Sequence, residues 1–183
     1  MASNNENLNF VWAVFDSEDA AVAAGKSLKT WDKANDDVKL GAIGVLHMSD
    51  KGKLKVKKMG PRSTGKGALI GVTTGALVAI FAPATLIAGA VAGGAVGGVL
   101  GVFHKKGLGL SDEQKDKIKT NLDTGKGLLV VFVDDNEVDD TKAKLAELGG
   151  ETDSAKADAE AIDEADAAMA EAGVQADVET VSE

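Results

Sequence analysis

The chain has no cysteine among its 183 residues, so disulfide frameworks, thiolate metal sites and cysteine nucleophiles are excluded. It has two histidines, His47 and His104, and neither has a second ligand at metal spacing. An ordinary structural or interfacial role is expected for both, and no metal site. A basic excess is missing as well. Residues 151–183 carry eleven acids and one lysine, whereas residues 1–150 carry eighteen acids and nineteen bases. A near-neutral body with an acidic tail argues against a broad nucleic-acid-binding face. The opening MASNNENLNF has no basic stretch and no early apolar run, so no signal peptide is expected. Only two prolines stand against twenty-two glycines, and the glycines crowd into one segment. At this length one domain with a modest core, plus appendages, is expected.

Gly60–Gly67 reads GPRSTGKG and has the outline of a phosphate-binding loop. Two features of the residues count against it. Gly67 stands where a magnesium-ligating Ser or Thr belongs. The preceding strand candidate, KLKVKKM, is too rich in lysine to be a buried parallel strand. LLVVFVDD (Leu128–Asp135) has the look of an acid-tipped, magnesium-holding strand, but FVWAVFDSED (Phe10–Asp19) has the same form. Acids placed this way are more simply helix N-terminal caps. Asp134, Asp135, Asp139 and Asp140 cluster without EF-hand spacing or its central glycine, which fits a solvated helix start. No catalytic residue and no cofactor is expected, and a non-enzymatic protein follows.

FVWAVF (Phe10–Phe15) reads as a buried strand. Asp16 or Ser17 then offers an N-cap, and Ala21, Ala24, Leu28 and Trp31 fall on one helical stripe. VKLGAIGVLHM (Val38–Met48) and KLKVKKM (Lys53–Met59) read as a β-hairpin across SDKG, with Leu54 and Val56 on one face of the second strand. SDEQ (Ser111–Gln114) is a capping box opening a short helix with Ile118 and Leu122. GLLVVFVDD then repeats the strand–acid–helix motif, with Val138, Thr141, Leu145 and Leu148 as the stripe. Two such units with a hairpin after the first suggest an α+β, ferredoxin-like β-α-β-β-α-β sandwich. The last strand is its weak point, because ETDSAKAD after Gly149 and Gly150 has poor strand propensity. Beyond it, AKADAEAIDEADAAMAEAG reads as an exposed helix, docked or solvated, whose stripe of Ile162, Ala165 and Met169 is narrow.

Gly67–Phe103 runs for thirty-seven residues without a formal charge. Gly67, Gly71, Gly75 and Ala79 recur every four residues, as do Gly89, Gly93, Gly97 and Gly101. Such small-residue stripes let another backbone approach closely. Pairing 67 with 101, 71 with 97, 75 with 93 and 79 with 89 gives one midpoint, Ala84, beside Pro83. A turn at Pro83 and Ala84 brings the two stripes face to face, so the pattern predicts an inserted helical hairpin. Its arms would be about 24 and 28 Å long, against a hydrocarbon core of about 30 Å. Lys57, Lys58, Arg62 and Lys66 precede the hairpin, and His104, Lys105 and Lys106 follow it. Cations at both feet suit anionic headgroups on one, cytoplasmic, side of a bilayer. Self-packing of hairpins inside a soluble cytoplasmic oligomer is the alternative, its apolar interior able to hold lipid-like molecules.

The expected organisation is a first half-body over 8–60, the hairpin over 64–106, a second half-body over 108–150, and an acidic Ala-rich helix or tail over 151–183. VWAVFDSEDAA, GKGALIGVTTGAL and LLVVFVDD followed by KLAELGG together resemble the domain-of-unknown-function family numbered twelve sixty-nine. The resemblance extends over about residues 8–150. It implies a small membrane protein with a ferredoxin-like body, and it brings no established activity, cofactor or catalytic residue. The expected partners are a lipid bilayer or lipid-like molecules and further copies of the chain, with no nucleic acid.

Overall fold

The computed structural model describes residues 8–35, 40–41, 43–51, 54–59, 109–157 and 178–180. Within them the protein is α+β, with three helices and a sheet whose main strands are antiparallel. The first strand, β1 (Leu8–Phe15), is followed by α1 (Glu18–Ala34). Of the two candidate caps it is Ser17 that starts α1, its hydroxyl accepting from the Ala20 amide at 3.1 Å. Next come β2 (Ile43–Met48) and β3 (Leu54–Lys58), paired as the expected hairpin. Then follow α2 (Asp112–Asp123), β4 (Gly127–Asp134), a 3-10 turn (Asp135–Glu137) and α3 (Val138–Glu147). Two strands close the chain, β5 (Glu151–Lys156) and β6 (Val178–Thr180).

The sheet order is β5-β1-β4-β2-β3-β6. Every pairing is antiparallel except that of β6 with β3. Strands β1 and β4 lie side by side at its centre and are buried along their length, which explains why their sequences are nearly continuous in apolar residues. One face carries Val11, Ala13, Phe15, Val45, Leu129 and Val131 against Ala21, Ala24 and Leu28 of α1 and Leu145 of α3. Burying a side chain such as Leu28 contributes about 1.5–3 kcal/mol. Alternation sends Phe10, Trp12, Leu46, Leu128 and Phe132 to the opposite face. There Phe10 meets the Phe132 ring edge-on, with centroids 5.4 Å apart. Helix α2 packs on this second side, burying Ile118 and Leu122.

Three strand expectations need correction. The strand expected over Val38–Met48 begins only at Ile43, and the one expected over Lys53–Met59 is confined to Leu54–Lys58. Before β2, Gly41 donates to the Phe132 carbonyl at 2.8 Å, and a Cβ on Gly41 would stand 2.9 Å from that oxygen. The buried Asp32 carboxylate accepts from the Leu40 amide at 3.0 Å and fixes the same approach. Most consequential is ETDSAK. Its poor propensity does not keep it from being β5, which pairs with β1 from Val14↔Glu151 to Asn9↔Lys156. Backbone pairing at an edge asks little of the side chains, and the charged residues suit an exposed border.

Candidate functional site at the junctions of the uncharged segment

The residues expected to do the work lie mainly between β3 and α2. Gly67, Gly71, Gly75, Ala79, Pro83, Ala84, Gly89, Gly93, Gly97 and Gly101 fall outside the described residues, as do Arg62, Lys66, His104, Lys105 and Lys106. The places where the body lets go of this segment and takes it up again are described, and they form the candidate site.

At the first junction β3 ends at Lys58, and Met59 continues the ladder by donating its amide to the Ile43 carbonyl at 3.0 Å. Met59 is buried, and its side chain lies where α1 offers only Gly25: a Cβ there would be 3.1 Å from Met59 Cε. Lys57 in the strand reaches back to α1 and pairs with Glu18.

The second junction starts with Gly109, whose φ of 80° belongs to the left-handed region that glycine enters without strain. Leu110 is buried, and the Ser111 capping box follows. Ser111 donates its amide to Gln114 Oε1 at 3.0 Å, and its hydroxyl accepts from the Gln114 amide at 3.2 Å. Gln114 Nε2 also donates to Asp153 of β5 at 3.1 Å. One turn on, Lys117 meets Glu151 at 2.5 Å. That contact holds the Glu151 carboxyl below its ordinary range and raises the Lys117 ammonium, through the hydrogen bond first and charge attraction second.

Register relates the two junctions. Asp153, Trp12, Val130, Gly44, Lys58 and Thr180 occupy one rung across all six strands. The segment therefore leaves β3 beside this rung and returns at the helix whose first turn is tied to the same rung on β5. Four strand spacings separate Lys58 from Asp153, about 19 Å.

A second polar cluster was not legible as a unit. Glu18 Oε2 lies 2.8 Å from His47 Nδ1 while the same carboxylate pairs with Lys57. His47 Nε2 is buried and has no hydrogen-bond partner in the structure, as is the case for the Thr141 hydroxyl. The signal that could have found the cluster is faint: an acid in the first turn of a helix opposite alternate residues of a hairpin. Lys57, expected to be an interfacial cation, has its side chain in this cluster and only a quarter exposed. The acidic group at the start of α3 is tied in part: Asp135 accepts from Asn9 and lies 3.6 Å from Lys156. Among the described residues no group of three or more His, Asp or Glu could hold a metal ion. No described helix is long and apolar enough to cross a membrane. The strand before GPRSTGKG pairs antiparallel with β2 and parallel only with the three-residue β6, unlike the buried parallel strand that a phosphate-binding loop follows.

An α+β body with helices on both sheet faces, interrupted between a basic strand and a capped helix, defines the kind of protein. The family model described as Protein of unknown function (DUF1269) matches residues 65–170, more than half of the chain. The chain belongs to this family. The match takes in residues 151–170, beyond the Gly150 boundary at which the sequence resemblance stops. No curated protein and no solved structure matches the chain.

Proposed function

We propose that this chain is a non-enzymatic, membrane-associated scaffold that inserts the glycine-striped segment 64–106 as a helical hairpin and assembles with further copies through it. The observation that carries the reading is the shared rung: Lys58, where β3 ends, and Asp153, which accepts from Gln114 in the first turn of α2, lie at one level of the sheet. Two arms entering a bilayer from one side need feet on one side. The uncharged run, the mirrored glycines and the cations at both feet support the same reading. The body itself is read as ferredoxin-like. The order β5-β1-β4-β2 with α1 and α3 on one face supports that, and β3, β6 and α2 are additions to it.

Flotation with lipid vesicles tests the function. The full chain is expected to float with vesicles, and a form lacking residues 64–106 to stay behind. Equal behaviour of the two would end the membrane reading. The second reading is a soluble homo-oligomer whose hairpins enclose an apolar interior able to hold lipid-like molecules. It is favoured by arms of about 24 and 28 Å, both short of a bilayer core. A discrete large particle by native mass spectrometry without detergent would select it.

A further inference from the structure

Strand β5 ends the sheet order, and among the described residues it has a neighbouring strand on one border only. The ladder fixes which of its backbone groups face the other border. In antiparallel pairs, opposed residues alternate between those that exchange hydrogen bonds and those that turn their backbone groups away. The Met59 amide donates to the Ile43 carbonyl, one step along the β2–β3 register, so Ile43 faces β3 and Gly44 faces β4. Gly44 pairs with Val130, which sets Val131 and its partner Val11 toward each other. Trp12 then faces β5, and its partner Asp153 faces β1. Thr152, Ser154 and Lys156 are left with their backbone groups toward the outer border.

One of these outward groups is already occupied. The Ser154 amide donates to Asp153 Oδ1 at 2.8 Å. The other oxygen, Oδ2, accepts from Gln114 Nε2 at 3.1 Å. Gln114 is itself fixed, because its Oε1 accepts from the Ser111 amide in the capping box. A chain of hydrogen bonds thus runs from the first turn of α2 to the border of β5. It ends by engaging an outward donor and setting a carboxylate beside it, which discourages an incoming strand.

The charges of β5 restrict how a second copy of this strand could pair there. A two-fold antiparallel pairing centred on Glu151 or Asp153 sets that acid opposite itself, and one centred on Thr152 sets Glu151 opposite Asp153. Centring on Lys156 sets lysine opposite lysine. Like charges directly opposite are destabilising. A centre between two residues would pair outward groups with inward ones. Centres at Ser154 and Ala155 avoid all of this: the first sets Ser154 opposite itself, and the second sets Ser154 opposite Lys156. Both need the Ser154 backbone to bond across the border, and its amide is the group that Asp153 holds.

We propose that the β5 border is a docking strand for β5 of a second copy, and that Asp153, held in place by Gln114, bars it. The mode is strand addition across a two-fold axis. It is separate from segment 64–106 and does not rest on the reading given above for that segment. Asp153 must turn away before the strands pair, which frees the amide and takes a negative charge from the border. Gln114 is a positioning residue, acting only through Asp153.

The chain has no cysteine, so a single introduced thiol reports its own surroundings. Full-length Ser154→Cys and Ala155→Cys place one at each permitted centre. There the paired Cα atoms would stand about 5.5 and 4.5 Å apart, within the span of a disulfide. Each variant is oxidised with and without Asp153→Ala at the same protein concentration. Loss of a hydrogen bond to a charged group changes an equilibrium by about tenfold or more, so disulfide dimers at one of the centres should form at least about tenfold faster. Gln114→Glu keeps the capping box but turns a carboxylate on Asp153, and it should act in the same direction. Ser27→Cys, on the exposed side of α1, is the control and should not respond to Asp153→Ala. In dilute protein the Ser154 amide should exchange faster in Asp153→Ala than in the parent. Dimer rates unchanged by Asp153→Ala at both centres, or raised equally at Ser27→Cys, overturn the docking strand. An unchanged exchange rate at Ser154 overturns the block.

Discussion

Glu18 Oε2 stands 2.8 Å from His47 Nδ1, joining the first turn of α1 to β2. Because the other oxygen of the same carboxylate pairs with Lys57, one side chain fastens both strands of the hairpin to the helix. Glu18→Gln keeps the shape and removes the charge. Hydrogen bonds to charged groups contribute about 1.5–3 kcal/mol, and the carboxylate's partial exposure reduces that, so a loss of about 1 kcal/mol is expected. Urea unfolding measures it. In a cycle with His47→Leu the double variant should lose less than the sum of the singles, since His47→Leu already removes one partner together with its unpaired Nε2. Strict additivity would mean that the two side chains do not interact.

A methyl group at Gly127 would lie 2.5 Å from the Ser17 carbonyl oxygen and 2.7 Å from Ala21 Cβ. The first atom is backbone at the start of α1 and has little room to retreat. Gly127→Ala should therefore cost about 1–3 kcal/mol through overpacking and should push α1 away from β4. Gly125→Ala meets nothing within 4 Å, but its φ of 83° is strained for alanine, so about 1 kcal/mol is expected there. Thermal or urea unfolding of the two variants distinguishes crowding from backbone strain. A milder effect at Gly127 than at Gly125 would contradict the close helix–strand approach.

The Lys117–Glu151 pair makes a pH-dependent tie between α2 and β5. Glu151 is depressed in the folded state, so its contribution is present above its unfolded value near 4.5 and is lost as pH falls through the lower folded value. Lys117 is raised, so its contribution is complete below 10.5 and is lost as pH rises through the higher folded value. Both side chains are more than half exposed, which limits the pair to about 0.5 kcal/mol. A double-variant cycle with Lys117→Met and Glu151→Gln should show that coupling at pH 7 and none in acid. Coupling that persists in acid would show that charge is not its origin.

The parts of the fold that could be read in advance are those governed by neighbours in sequence. The Ser17 cap, the Ser111–Gln114 box and the stripe of Val138, Thr141, Leu145 and Leu148 all express local physics and all appear in the structure. What could not be read depends on distant partners. ETDSAK is a strand because β1 offers its free border, and it is gripped by Gln114 and Lys117 from a helix more than thirty residues earlier. Nothing in DEQKDKIKTNLD says which face of the sheet its two buried residues will cover. Val178–Thr180 is too short to carry a periodic pattern, so its place beside β3 is a matter of tertiary pairing alone. The junction residues were legible as positions and not as geometry: the cations before Gly67 are plain in the sequence, whereas the shared rung of Lys58 and Asp153 exists only once three strands have been ordered between them.

The mirrored glycine stripes make the most exacting prediction for assembly. In the proposed hairpin Gly71 faces Gly97 and Gly75 faces Gly93, at a separation that no branched side chain fits. Gly71→Leu or Gly93→Leu inserts four carbons into that contact, where overpacking costs about 1–3 kcal/mol in each copy. Because every copy in an assembly carries the same fault, the penalty multiplies and the particle should fall apart. Val72→Leu, one position off the stripe, enlarges the side chain without entering the contact and should leave the mass unchanged. Native mass spectrometry of the three variants reads the outcome. Loss of the oligomer in the glycine variants alone supports the stripe. Unchanged mass in both glycine variants would refute it, whichever of the membrane or soluble assemblies the protein adopts.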